Sequence, residues 1–415
     1  MSRPFHTAAS AIPAAQRWLA LLAAILTAGC SALAGLTSGR TVAAVSCPQP
    51  DGVMLILGAH RDAPAPTLSP SQDPRVACLV SGAIRRNKPV WIIVADGRPQ
   101  LIRLKLANGT GSLAQQNSPW ASRDLHRVEA AVAAARPASA GADDLAALGV
   151  AADAARTAGA PHAWLVLLDS GLDDRGALNF RMPGVLAAIP SEVAAQLRGA
   201  GDLPSLRGFT VVLAGLGYTA PPQVLPSAKW RGNITAIWAT ATATAGARVE
   251  VIPVPAQGPS VRTGEPVAQV PVPTQQPITP VAGHTYVLGQ ESAARFLPDS
   301  TTFADPAGAL RLLARFANWL AADPARKARL VGTTADVGPM GGQVKLSVRR
   351  ANRVRTELVA LGATLAQISV AGVGSKFPQF KPDRSPTGTL LAGPASLNRS
   401  VRITLSAPTS PTAGA

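Results

Sequence analysis

Four uninterrupted apolar runs mark the middle of this chain, at residues 53–58, 90–95, 164–168 and 209–213. Apolar side chains fill successive positions in each run rather than alternate ones, so each strand is expected to be covered on both faces. Helical patterns separate them near 74–86, 143–158 and 190–198. Between 229 and 245, Trp230, Ile234, Ile237 and Trp238 recur at helical spacing as core positions. Strands alternating with helices predict an α/β domain with a mainly parallel, doubly wound sheet. Several runs end in polar tips: His60, Arg61 and Asp62; Asp96; and Asp169, Ser170, Asp173 and Asp174. Open parallel sheets bind ligands at such carboxyl ends.

The pattern then lapses. Residues 251–282 are rich in proline and glycine and carry almost no apolar period, which predicts an extended, semi-rigid linker that holds two domains apart. Beyond it, Asp305 and Pro306 make a helix start, with aspartate as cap and proline in the first helical position. Leu310, Leu313, Phe316, Ala317 and Leu320 follow at steps of three and four as its core face. Residues 328–333 and 368–373 read as central strands, and 400–405 as a strand alternating through Val401, Ile403 and Leu405. Between them, 375–397 reads as a long loop punctuated by Pro378, Pro382, Pro386 and Pro394. Phe377, Phe380 and Lys381 in that loop either pack over the sheet edge, the simpler reading, or contact a partner.

One helix carries a chemical signal. Taking Val354 as the centre of its apolar stripe, a turn of about 100° per residue places Leu358, Leu361 and Ala351 within about 60°. Arg350 falls about 40° away, whereas Arg349, Arg353 and Arg355 lie about 100° or more away. A cation at the edge of a buried face calls for an anion, because an uncompensated charge there costs several kcal/mol. Either a ligand supplies that anion or Arg350 forms a structural ion pair with Asp336.

The helix motif Leu346, Ser347, Arg350, Ala351, Val354, the loop from Gly332 to Gly338 before it and the Asn398, Arg399, Val401 motif after it occur in the order seen in the OmpA family. Residues 285–406 resemble the C-terminal domain of that family. The resemblance implies an α/β sandwich with a mixed sheet. It also implies non-covalent binding of peptidoglycan, in which a loop aspartate takes the ammonium and the helix arginine the carboxylate of the stem-peptide diamino acid. Arg350 matches without adjustment; the aspartate position falls on Ala335, and Asp336 follows one place later. The family's asparagine ahead of the Leu-Ser pair is Gln343. The resemblance thus nominates Thr334, Asp336, Gln343, Arg350, Asn398 and Arg399 as peptidoglycan-binding residues, with altered geometry at Asp336. A scaffold or protein-interaction module with a decayed pocket, recruiting a protein partner through the middle domain, is the alternative.

The chain has 415 residues and a net charge of +16. That balance suits polyanions, nucleic acid included, but the N-terminus points to export. Arg3 and Arg17 precede an uncharged apolar run at 18–36, long enough to span a bilayer. Three fates fit it: an uncleaved membrane anchor, cleavage after Ala34, or lipidation of Cys30 in an imperfect lipobox at 27–30. Each delivers the chain to the cell envelope and replaces nucleic acid with the anionic polymers of a wall. Cys47 and Cys78 then form the one remaining pair, suited to a disulfide in an oxidising compartment; two buried thiols are the alternative. The expected organisation is an export or anchor segment (1–46), an α/β domain (47–250), the linker (251–282), the OmpA-like domain (283–407) and an unordered tail (408–415).

No enzyme signature emerges, and no cofactor is called for. His6, His60, His126, His162 and His284 are scattered, without the spacing of a zinc helix. Gly215 and Gly217 follow a strand, but Pro221 and Pro222 stop the helix a phosphate would need. The tip at Leu168, Asp169, Ser170 and Gly171 is similar to a von Willebrand factor A-like domain. Metal-binding members of that group carry a serine-rich aspartate loop after the first strand. Here the loop is Gly58, Ala59, His60, Arg61, Asp62, so no metal site is expected, and Asp169, Asp173 and Asp174 read as a solvated loop.

Overall fold

The computed structural model describes residues 48–68, 74–106, 119–253, 259–261, 263–274 and 277–407. The N-terminal run, the lipidation candidate Cys30, the Cys47 half of the Cys47–Cys78 pair and the tail at 408–415 lie outside these residues. Among the described residues no helix is long and apolar enough to cross a membrane.

The middle region is a six-stranded sheet built from β1 (Val53–Leu57), β2 (Val90–Val94), β3 (Gln100–Arg103), β4 (Trp164–Leu168), β5 (Thr210–Ala214) and β6 (Arg248–Ile252), in the order β3-β2-β1-β4-β5-β6. All neighbours run parallel except β2 and β3, which pair antiparallel at one edge. Helices cover both faces, as the continuous apolar runs require. Met54 and Ile56 point into one core with α3 (Asp144–Thr157), α4 (Pro190–Ala200) and α5 (Ala228–Thr244). Val53, Leu55 and Leu57 point into the other with α1 (Pro74–Arg85) and α2 (Pro119–Ala134). Trp230, Ile234, Ile237 and Trp238 of α5 are buried as their spacing predicts.

The C-terminal sheet is mixed and four-stranded: β7 (Thr285–Leu288), β8 (Lys327–Thr333), β9 (Ile368–Gly372) and β10 (Ser400–Ser406), in the order β7-β10-β8-β9. Strand β10 runs antiparallel to β7 and β8, while β8 and β9 are parallel. Two helices, α6 (Pro306–Ala321) and α7 (Met340–Ala360), share its core. The Asp305 carboxylate accepts the Gly308 amide 2.9 Å away and caps α6. Leu313, Phe316, Ala317 and Leu320 are buried, but Leu310 is 40 % exposed and Ala309 takes the core position. Helix α7 lies so close to the sheet that a Cβ on Gly332 would meet the Ser347 carbonyl oxygen at 1.9 Å, and one on Gly372 the Val348 amide at 2.4 Å. Two glycines in adjacent strands therefore set the depth of the helix that carries Arg350.

Two expectations are corrected, for residues 375–397 and for the proline-rich stretch, while Phe377 and Phe380 are packed as the simpler reading expects. Residues 375–397 are not loop throughout: a short helix, α8 (Ala392–Asn398), closes the segment. Phe377 and Phe380 make an edge-to-face pair at 5.7 Å, and Arg402 stacks on Phe377, so they are packed. The proline-rich stretch does not hold the domains apart. Its described part runs along the middle domain, with Val261 and Val270 buried, the Val270 amide donating to Gln223 and the Trp230 indole donating to the Pro273 carbonyl. The two domains dock directly, through helices and loops. Gln196 of α4 accepts the Ala392 amide, and the Ser396 hydroxyl donates to the Gly184 carbonyl. Lys229 of α5 donates to the carbonyls of Gln290, Glu291 and Ser292.

Candidate functional site

Arg350 is buried, as the helical phase predicts, but its partner is not a carboxylate. Its Nε donates to the Ser300 carbonyl at 2.9 Å and its Nη2 to the Leu297 carbonyl at 3.1 Å. The guanidinium lies over the Phe296 ring, 5.3 Å from its centre. Burial, reinforced by the nearby Arg399 charge, lowers the Arg350 pKa to about 10, and Asp299 opposes that shift. The side chain therefore stays cationic at neutral pH. Its charge is held by dipoles and a ring face, and no carboxylate among the described residues forms an ion pair with it.

A cleft of about 240 Å³ opens beside it. Arg349, Arg350 and Arg399 line the cleft, together with Thr334, Ala335 and Gln343, the wall at Pro298 and Asp299, and, from the middle domain, Ile189 just before α4 and Glu192 in its first turn. The pocket is thus shared between the two domains. Thr334 is buried and its hydroxyl has no protein partner.

The six nominated residues separate in space. Thr334, Gln343, Arg350 and Arg399 line the cleft; Asp336 and Asn398 do not. Asp336 Oδ1 accepts from Gln343 Nε2 at 2.9 Å, its amide donates to Asp383, and its carbonyl is held by Arg384. The one-residue displacement of the aspartate leaves buried Ala335 on the cleft wall and turns Asp336 into the loop's own network. The structural Arg350–Asp336 pair does not form. Gln343 is committed as well, donating to Asp336 and the Gly338 carbonyl and accepting the Ser375 amide. Asn398 pins the preceding loop by exchanging hydrogen bonds with Lys381 and donating to Asp383.

Arg399 makes a two-pronged pair with Glu192, Nη1 to Oε2 at 2.9 Å and Nη2 to Oε1 at 2.5 Å. No periodicity flags Glu192. It sits in the first turn of α4, where an acid is favoured by the helix dipole whatever else it does.

At the carboxyl edge of the middle sheet, Asp169, Asp173 and Asp174 are buried, which corrects their reading as a solvated loop. Backbone amides compensate them: Asp173 accepts from Asp144, and Asp174 from Ala142 and Ala268. His60 lies fully buried between two carboxylates, Nδ1 to Asp62 at 2.5 Å and Nε2 to Asp169 at 2.8 Å. Burial alone would lower the His60 pKa, but Asp169 and Asp62 hold it well above the ordinary value. An imidazole donating from both nitrogens is an imidazolium. Burial raises Asp169 as well, yet His60 outweighs that and keeps it ionised below the usual range. Asp144 and Asp173 go the other way: burial, then neighbouring carboxylates, raise them well above the usual value. A metal at this edge would compete with a built-in cation. Among the described residues no group of three or more His, Cys, Asp or Glu side chains is arranged to hold an ion.

Comparison with known proteins bears on the C-terminal region. Structural similarity is found to the peptidoglycan-associated lipoprotein from Burkholderia pseudomallei, at 24 % identity over 27 % of this chain and 86 % of that one, TM-score 0.23. The periplasmic domain of Helicobacter pylori MotB matches at 20 % identity over 30 % of this chain and 83 % of that one, TM-score 0.25. The OmpA-like domain of FopA1 from Francisella tularensis matches at 19 % identity over 30 % of this chain and 72 % of that one, TM-score 0.22. No curated protein matches the chain. The mixed sheet, the buried helix arginine and the cleft beside it lie in or around residues 295–387, which match the OmpA family: the chain carries an OmpA family domain there.

Proposed function

We propose that this is a membrane-anchored protein of the cell envelope, not an enzyme, whose OmpA family domain binds peptidoglycan non-covalently at the cleft beside Arg350. One observation carries the reading. Arg350 is buried and cationic, no carboxylate among the described residues forms an ion pair with it, and it borders a cleft that two further arginines line. Such a cleft suits the carboxylates of a peptide stem. The N-terminal apolar run supplies the anchor, by lipidation at Cys30 or as an uncleaved segment, and Cys47 pairs with Cys78 outside the cytoplasm.

The middle domain is, on this reading, von Willebrand factor A-like: it has the strand order β3-β2-β1-β4-β5-β6 with β3 antiparallel. His60 then stands where such domains place a cation, which favours a structural or partner-binding role over metal chemistry.

Co-sedimentation of the full chain with insoluble cell wall tests the proposal. Retention by the wild type and its loss in Arg350→Ala, with folding checked by circular dichroism, is the expected result. A scaffold role is favoured by the internal commitment of Asp336 and by Glu192 already occupying Arg399. Absence of wild-type retention would establish that second reading in place of the first.

A further inference from the structure

The cleft has two acids, Glu192 and Asp299, and Glu192 comes from outside the OmpA family domain. Where the family's ammonium-binding aspartate would stand, the wall carries Ala335, and Asp336 is turned to Gln343. Among the described residues, the carboxylates lining the cleft are Glu192 and Asp299, against three arginines. We propose that Glu192, from the first turn of α4 in the middle domain, is the ammonium-binding group of this cleft, with Asp299 beside it as the second acid. The ligand class is then a zwitterion carrying ammonium and carboxylate on one carbon, such as the free end of a diamino acid. This rests on the wall-binding reading above and makes the site the joint product of two domains.

Glu192 is placed firmly enough for the task. Pro190 starts α4, and Gln196 ties that helix to the Ala392 amide. Gly184 has φ of +83°, and a Cβ there would meet the Gly393 carbonyl oxygen at 2.3 Å, so the docking is close. Arg399 donates one hydrogen bond to each Glu192 oxygen. A carboxylate has about four lone-pair sites, so an ammonium can be added without breaking the pair. Asp299 is held in the left-handed region at φ +47°, a conformation that costs a non-glycine residue energy. Its loop is gripped by Arg350 through the Leu297 and Ser300 carbonyls, which sets Asp299 near the cation that takes the carboxylate.

Calorimetric titration of the full chain with meso-diaminopimelate and with pimelate, the same dicarboxylate without amines, is the test. The wild type should prefer the diamino acid by about tenfold or more. Glu192→Gln keeps an acceptor for Arg399 and should cut that preference to about twofold, leaving pimelate bound as before. Asp299→Asn should reduce the preference in the same direction. Preserved preference in both variants would overturn the proposal while leaving wall binding intact. Equal loss of both ligands would show a merely structural role and overturn it. Tighter binding of the diamino acid by Glu192→Gln would show that Glu192 is a plug, again overturning it. Failure of the wild type to bind either ligand, with no retention on cell wall, would remove the wall-binding reading itself and this assignment with it.

Discussion

Arg399 and Glu192 close a two-pronged ion pair between the α8–β10 junction and helix α4, at 2.9 and 2.5 Å, with side chains only 10 % and 20 % exposed. Two charges so placed are costly to separate, because removing one leaves the other poorly solvated. A double-mutant cycle of Glu192→Ala and Arg399→Ala in urea unfolding should give a coupling energy of about 1–3 kcal/mol. Either single variant should also make residues between the two sheets more susceptible to limited proteolysis. Additive singles, within about 0.5 kcal/mol, would mean that the pair contributes nothing to docking.

The buried acid cluster predicts an unusual dependence on pH. Asp144 and Asp173 have raised pKa values, so the folded state holds protons that the unfolded chain releases above about pH 4. His60 is raised too, so its contribution is complete below about pH 6.5 and fades as pH climbs through its folded value. Asp169 is lowered, and its contribution is lost only in strong acid. Stability should therefore be greatest near pH 5 and fall toward pH 9. Asp144→Asn removes one of the retained protons and should flatten that decline, raising the melting temperature at pH 8 relative to pH 5. A wild-type melting temperature that climbs from pH 5 to pH 8 would refute the protonation scheme.

What could be read in advance divides along burial. Strands β1, β2, β4 and β5 are sheet-centre elements covered on both faces, and each is a run of large apolar residues. Edge strands β3 and β6 are half solvated, and their mixed composition gives no comparable signal. Arg350 was legible because helical phase is local. Glu192 was not, because its role depends on docking of elements some two hundred residues apart. Asp173 and Asp174 were misread for a related reason: an aspartate in a glycine-rich tip is ordinarily solvated, and only tertiary structure supplies the amides of Asp144, Ala142 and Ala268 that make burial tolerable.

Close approach of α7 to the sheet predicts opposite effects at two glycines. Gly332→Ala would place a Cβ 1.9 Å from the Ser347 carbonyl oxygen, which is backbone and cannot rotate away. The helix must lift, at a cost of about 3 kcal/mol, and Arg350 moves with it. Gly341, in the first turn of α7, has nothing within 4 Å of its would-be Cβ. Gly341→Ala should be neutral or stabilise by about 0.5 kcal/mol. Thermal melts of the two variants, together with wall retention lost only in Gly332→Ala, would check both statements.

Arg350 does structural work that a wall-binding assay alone would conflate with recognition. It satisfies the Leu297 and Ser300 carbonyls and covers Phe296 while bordering the cleft. Arg350→Ala should therefore cost about 1–3 kcal/mol by orphaning acceptors, besides removing the cation. Arg350→Lys separates the roles. A lysine ammonium carries the charge but lacks the planar fork that can serve two carbonyls and an anion together. It should recover part of the stability lost in the alanine variant and none of the retention. Arg349→Ala gives the reference, since Arg349 lines the cleft without hydrogen bonds to the fold: stability within about 0.5 kcal/mol of wild type and retention reduced but present. If lysine at position 350 restored retention in full, recognition would require only a positive charge, and the geometric role of the guanidinium would have to be given up.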